Sequence, residues 1–437
     1  MLKNIATEVN IRFLLIFVLL SSQIFAERKP EKLIIIAVDG FPGYYFDKNS
    51  SMREAMPTLV QLSEASIFTD KLVSVNPTLT FPAFTSLITG VEPAEHKIVS
   101  NHPILKPPHT TSKWNWYTSK IGVKTLWDFA QEQQKVVANL FWPVSVGADI
   151  QYNIPQIYHF KSDADLDLVR KYSNKESYDF LVNSGIIIRE GNSDSQRLKA
   201  GSKIFNTYKP DLLFIYTTEI DTVHHQFGPY SDQAFEKVAN FDQALKEFIT
   251  ETRILEDRTV NLLLVSDHGF MKYEGACYPN VILKKYKWIN PVRRGYPYFF
   301  QAHAGLAYLR MQSKKSRVTE KRLRKLKALI TRKCPGIEIL YKGEKFEKLK
   351  SQIDKDTPMI ILSKGKTALL GNLNYRYMYR KHAQFYTHGF LAEDRKMQGF
   401  GLLFTLHKPE EEIQYLTGYF MTLCRILEIN CEKGQPR

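Results

Sequence analysis

The chain has 437 residues, 44% of them hydrophobic and 24% charged, with four cysteines and a net charge of +15. This is the composition of an ordinary globular protein with a large buried core, as one big α/β domain carrying an insertion or as two domains. Internal repeats and long low-complexity linkers are absent, and no apolar run is long enough to span a membrane, which excludes a solenoid and an integral membrane bundle.

At the N-terminus, Lys3 and Arg12 precede the apolar stretch Phe13–Leu20 and then Ser21 to Ala26, which reads as a signal peptide cleaved near Ala26. The expectation is an exported protein, periplasmic or secreted and soluble after cleavage, in which Cys277, Cys334, Cys424 and Cys431 can pair in any of three ways. Leu33–Val38 is an unbroken apolar run that ends in Asp39. Further on, Thr80 precedes Phe81 and Pro82, and Pro82 favours the first turn of a helix through Phe84–Ile88. Thr80 is therefore expected at a helix N-terminus, where free N–H groups and the dipole attract phosphate. The run Leu212–Tyr216 is followed by Asp221 and His225, and Leu262–Val265 by Asp267 and His268. Short apolar runs without alternation predict buried parallel strands, and open α/β sheets place their sites at the carboxyl ends of such strands.

From about Glu31 to Phe270 these strands alternate with helical stretches, the βαβ pattern of a parallel sheet. Between Met271 and Asn372 the rhythm breaks. There Lys314 to Lys333 carries ten Lys and Arg against only Glu320, with Val318, Leu323, Leu326 and Ile330 at near-helical spacing, followed by the strand-like Gly336–Tyr341 and Pro358–Leu362. Because His388 comes later, the expected division is a leader over 1–26, a catalytic α/β part over 27–270 and 373–437, and an inserted α+β subdomain over 271–372. The basic helix reads as a solvated outer face, or else as a weak contact to an anionic surface or polyanionic substrate; no specific nucleic-acid partner is expected and the oligomeric state is left open.

Asp39, Thr80, Asp221, His225, Asp267, His268 and His388 together read as a metal site. Mixed carboxylate and imidazole donors suit zinc better than magnesium or calcium. They divide into two sites: Asp39, Asp267 and His268 with the Thr80 oxygen, and Asp221, His225 and His388 with an open position. Taken singly, an Asp-His after a strand is more often a hydrogen-bonded turn; seven such residues in one chain shift the balance. His96, His102, His224 and His303 are read as structural.

Several stretches, in this order, resemble the nucleotide pyrophosphatase/phosphodiesterase family of the alkaline phosphatase superfamily, from about Leu33 to the C-terminus. They are Ala37-Val38-Asp39-Gly40-Phe41, Asn76 to Pro82 with Thr89-Gly90 and Pro93 to His96, Phe141-Trp142-Pro143, Asp221 to His225 with Gly228-Pro229, Ser266 to Gly269, and His388-Gly389. The resemblance implies an alkaline-phosphatase-like sandwich with a mainly parallel central sheet flanked by helices. It implies two zinc ions per chain, Thr80 as nucleophile, and Asn101 as the side chain that hydrogen-bonds a non-bridging phosphoryl oxygen of a small-molecule phosphodiester. Hydrolysis would pass through a phosphothreonine. Ala83, Val144 and Phe390-Leu391-Ala392 depart from the family pattern, and Phe160-Lys161 stands near the place of a base-stacking tyrosine. Phe81 is read with equal weight as a stacking face for substrate and as packing. Nucleotide-type substrates are favoured; a phospholipid-headgroup phosphodiesterase, a phosphomonoesterase and a binding protein that lost catalysis are the alternatives.

Overall fold

The computed structural model describes residues 31–103, 114–157, 163–188, 192–288, 297–311, 318–373, 375–407 and 412–437. The expected signal peptide and Phe160-Lys161 lie outside them, as do Lys314, Lys315 and Arg317.

The strands are, in chain order, β1 (Lys32–Val38), β2 (Ile67–Leu72), β3 (Val137–Leu140), β4 (Tyr152–Ile154), β5 (Leu212–Thr217), β6 (Val260–Val265), β7 (Met271–Cys277), β8 (Tyr298–His303), β9 (Leu306–Met311), β10 (Ile337–Leu340), β11 (Ile360–Ser363), β12 (Thr367–Leu369), β13 (Tyr379–Thr387) and β14 (Gly399–Phe404). Seven form the central sheet, in the order β2-β14-β6-β1-β5-β3-β4. The pairs β6–β1, β1–β5, β5–β3 and β3–β4 are parallel, and β14 runs antiparallel between β6 and β2. The fold is α/β with a mostly parallel sheet and helices on its faces.

The apolar runs account for this core. Ile34, Ile35 and Ile36 of β1 are completely buried, as are Leu262, Leu263 and Leu264 of β6 and all of Leu212–Ile215 in β5. A strand buried on both faces needs a continuous run of large aliphatic residues, each contributing about 1.5–3 kcal/mol on burial. Register then places the site. Val38 lies opposite Thr217, and Ala37 lies opposite both Tyr216 and Val265, so three strands leave the sheet at one level. Since β5 and β6 flank β1 on opposite sides, that level is the crevice where connections diverge.

Residues Met271 to Thr387 build two more sheets, an antiparallel one ordered β10-β11-β9-β8 and a three-stranded one ordered β12-β7-β13. Leu323, Leu326 and Ile330 on the inner face of the helix Glu320–Lys333 pack into a separate apolar core with Phe300, Leu309 and Ile361. The three-stranded sheet extends past Asn372, because β13 pairs with β7 over Tyr379–Thr387 and so delivers His388. The four cysteines form Cys277–Cys334 and Cys424–Cys431. The first ties the end of β7 to the end of the basic helix. By loop-closure entropy the 57-residue bridge stabilises by about 4 kcal/mol and the seven-residue one by about 2.

Candidate metal centre and catalytic pocket

Asp39 directly follows β1, and Asp267 and His268 follow its neighbour β6 after one residue. All three are buried, with Asp267 and His268 fully inaccessible. One ligand atom from each of the three lies within 4.8 Å of the others, and the same holds for Asp221, His225 and His388. His268 Nε2 is 3.1 Å from Asp267 Oδ2 and 3.6 Å from Asp39 Oδ1. Asp221 Oδ1 is 3.6 Å from His225 Nε2 and 3.9 Å from His388 Nε2. Asp221 and His225 sit one turn apart on the helix Glu219–Phe227, so both face the same way. The rings of His268 and His388 stack at 3.7 Å, joining the two groups.

Thr80 is the first residue of the helix Thr80–Thr89 and does not cap it: its hydroxyl donates to Asp39 Oδ1 at 3.3 Å. The other Asp39 oxygen accepts from the Tyr216 hydroxyl at 2.5 Å. Asp267 Oδ1 accepts from the Gly40 N–H at 3.0 Å. The two imidazoles at the centre are oriented from behind. His388 Nδ1 donates to the Thr78 carbonyl at 2.8 Å and His268 Nδ1 to that of Gly269 at 3.3 Å, which leaves each Nε2 lone pair facing the carboxylates. Thr78 also straps this segment to the next, donating to the Phe390 carbonyl and accepting from the Gly389 N–H.

Asp221 Oδ1, Asp267 Oδ2 and His268 Nε2 are buried with no hydrogen-bond partner. Leaving such atoms unpaired costs about 1–3 kcal/mol each, more when charged. Burial, and then the neighbouring Asp221, push the Asp39 carboxyl well above its usual range; Asp221 and Asp267 are raised in the same way. Burial holds His388 down at about 3 and His268 well below its ordinary value, so both are neutral donors. Three crowded carboxylates and three neutral imidazoles with unpartnered atoms are the donor set a pair of divalent cations satisfies.

The cavity at this centre has a volume of about 140 Å³ and is lined by Thr80, Phe81, Asn101 and Trp114 beside the acidic and histidine residues. Asn101 Oδ1 accepts from the Phe81 N–H at 2.9 Å, which fixes the amide and leaves Nδ2 free to donate. Phe81 is 2% exposed, lines the cavity and packs on Trp114 with ring centroids 5.4 Å apart. None of the cavity's described lining residues is Lys or Arg.

The remaining histidines divide. His224 is bonded to the Tyr45 hydroxyl and the Gly40 carbonyl, and His96 to Ser86 and the Ile98 N–H. His102 packs on Trp114 with the rings tilted by 52°, while His303 Nε2 is buried without a hydrogen bond. Trp114, Tyr216 and Gln156 at the cavity were not singled out from sequence. Tyr216 reads there only as the last residue of an apolar run, and nothing local marks the other two. Val144, one of the expected departures from the pattern the chain resembles, has φ +58, a left-handed conformation that costs a β-branched residue about 1–2 kcal/mol.

Among proteins of known sequence, the ectonucleotide pyrophosphatase/phosphodiesterase family member 1 of Rattus norvegicus is 24% identical over 273 residues, which cover 60% of this chain and 26% of that protein. Venom phosphodiesterase of Macrovipera lebetinus is 25% identical over 251 residues, covering 54% and 25%. The chain thus spans about a quarter of the length of these relatives. Among solved structures, human ectonucleotide pyrophosphatase/phosphodiesterase 5 superposes with a TM-score of 0.64 at 17% identity, covering 92% of this chain and 96% of that one, which shows the shared fold. Residues 33–391 match the family described as type I phosphodiesterase/nucleotide pyrophosphatase, and with more than three-quarters of its length inside that match the chain belongs to this family.

Proposed function

We propose that the protein is a two-zinc hydrolase that cleaves phosphodiester or pyrophosphate bonds through a phosphothreonine on Thr80. The observation that carries this reading is the pair of three-donor groups with unpartnered buried atoms, one of which holds the Thr80 hydroxyl. Zinc bound there would supply positive charge to the attacking and leaving oxygens.

The rest is done by the chain's own groups. The Thr80 proton is directed at Asp39 Oδ1, so the oxygen that attacks phosphorus is already oriented. A Thr80–phosphorus bond forms, the bond to the leaving oxygen breaks with its electron pair, and water later displaces Thr80 from phosphorus. The Thr80 N–H at the start of the helix Thr80–Thr89 and Asn101 Nδ2 stabilise charge on the non-bridging oxygens, a preorganised contribution of about 2.7–4 kcal/mol per donor. The absence of Lys and Arg from the described lining favours a diester over a monoester, which carries one more negative charge. Phe81 and Trp114 offer aromatic walls for a nucleobase, and a murine structural neighbour, an inactive form of ectonucleotide pyrophosphatase/phosphodiesterase 5, was solved in complex with AMP.

Relatives are named as ecto- and venom enzymes, which together with the expected leader supports export; no described helix is long and apolar enough to cross a membrane. The inserted part over 271–372 belongs to the same reading. The deciding experiment is side-by-side turnover, by zinc-loaded protein, of a nitrophenyl nucleotide diester, a phosphocholine ester and nitrophenyl phosphate, with metal analysis. We expect about two zinc per chain, loss of turnover on exhaustive chelation, and the highest kcat/KM on the nucleotide diester. Preference for the monoester, or activity that survives chelation, overturns the proposal.

A further inference from the structure

Charge is divided unevenly along this chain. Residues 271–387, which build the two smaller sheets and the basic helix, carry 27 Lys and Arg against 7 Asp and Glu, whereas the rest of the chain carries 33 against 38. The excess of +15 therefore sits entirely in this part, on a body that is otherwise slightly acidic. Solubility needs no such segregation; a one-sided field draws a protein to a polyanion.

Most of the acids in this part already pair with other cations. Glu274 pairs with Lys366, Glu320 with Arg324 and Lys342, Glu338 with Lys345, Glu347 with Lys350, and Asp354 with Arg310. On the helix Glu320–Lys333, Lys321, Lys325 and Arg332 are exposed and pair with no described carboxylate. At 3.6 residues per turn these three fall within about 40° of one another, a row about 16 Å long on the side opposite Leu323, Leu326 and Ile330.

Packing decides which way that row points. The sheet ordered β10-β11-β9-β8 has two apolar faces: Phe300, Leu309 and Ile361 meet the basic helix, while Tyr308, Ile360 and Leu362 meet Phe346, Leu349 and Ile353 of the helix Glu344–Ile353. The second helix docks on the catalytic part, where Lys348 lies 3.5 Å from Glu393 and Gln352 accepts from the Asn76 amide at 3.3 Å. The basic helix is thus on the far side of the sheet, and its row of cations faces away from the catalytic part.

We propose that this outer face holds the protein reversibly on an anionic lipid surface. No aromatic residue lies on the helix to stack a base, and export, on the reading above, sends the chain to where lipid headgroups are the dense polyanion. Lipid is therefore favoured over nucleic acid. The helix's apolar face is committed to the protein's own core, so the attachment is electrostatic and salt releases it.

The test is co-sedimentation of the purified mature protein with vesicles of phosphatidylcholine alone and with roughly one-third phosphatidylglycerol, at about 0.1 M and about 0.5 M NaCl. Binding is expected only to the phosphatidylglycerol vesicles at the lower salt. The triple variant Lys321→Gln, Lys325→Gln, Arg332→Gln should weaken it roughly one hundred-fold, about five-fold for each cation. A control triple, Lys71→Gln, Lys199→Gln, Lys246→Gln, removes as many exposed cations from the catalytic part and should change binding by less than about three-fold. Absence of wild-type binding, equal binding to both vesicles, binding that persists at the higher salt, or a helix variant no weaker than the control overturns the proposal. So does tighter binding to a duplex or single-stranded oligonucleotide than to the vesicles at the same salt. None of these readouts uses turnover, so failure of the hydrolase reading would leave the result intact.

Discussion

At the scale of single residues, Thr80 combines two properties that are separable by mutation. It lines the reacting pocket, yet its hydroxyl makes one hydrogen bond, to Asp39, worth about 1 kcal/mol to the fold. Thr80→Ala should therefore lower kcat by at least about three orders of magnitude while moving the unfolding free energy by only about 1 kcal/mol. Thr80→Ser, which keeps the oxygen, should retain most of the activity. Turnover by Thr80→Ala close to wild type would mean that water attacks phosphorus directly. The role of Asn101 rests on a similar separation, since its Oδ1 is held by the Phe81 N–H and its Nδ2 is not. Trp114 and Gln156, by contrast, carry no local signature, because a lining role is set by what a residue faces and not by its neighbours in the chain.

At the scale of elements, the approach of β1 to the helix Glu219–Phe227 explains why the two three-donor groups are neighbours. Gly40, just after Asp39, has φ +64, and a Cβ there would stand 2.9 Å from the Asp221 Cβ and 2.8 Å from the Phe270 ring. Only the missing side chain allows the helix so close. Gly40→Ala should cost about 1–2 kcal/mol from the left-handed backbone alone, and should lower zinc content by displacing Asp221. Denaturant unfolding with metal analysis checks both; full zinc content in a stable Gly40→Ala protein would show that the helix can retreat without loss of the site. The apolar runs that became β1, β5 and β6 were legible in sequence because burial on both faces demands continuous hydrophobic residues. The extension of the three-stranded sheet to β13 was not, because Tyr379–Thr387 is a partly exposed strand whose pairing with β7 is irregular.

At the scale of the whole molecule, the buried histidines outside the metal groups govern acid stability. Burial holds His96 and His224 at about 3, below the ordinary value of 6.5. A depressed pKa means that the folded state binds fewer protons than the unfolded chain, so this stability is complete above pH 6.5 and is lost as pH falls toward 3. Each should contribute a slope of up to about 1.4 kcal/mol per pH unit below that point. Urea unfolding of zinc-loaded protein at pH 7.5, 6.5, 5.5 and 4.5 should show the decline, and His96→Asn should reduce the slope by about one proton; an unchanged slope would place the acid sensitivity elsewhere. The sequence alone determined the fold class, because unbroken aliphatic runs that alternate with helical stretches read as a parallel sheet, and it marked the metal-site candidates, because Asp and His residues that singly read as ordinary turns recur together in this chain. Only the tertiary structure decided which cysteines pair, that Tyr216 holds Asp39, and that the basic helix faces away from the catalytic part. These are relations between residues brought together from distant parts of the chain, and register and packing create such proximity without leaving a mark on local sequence.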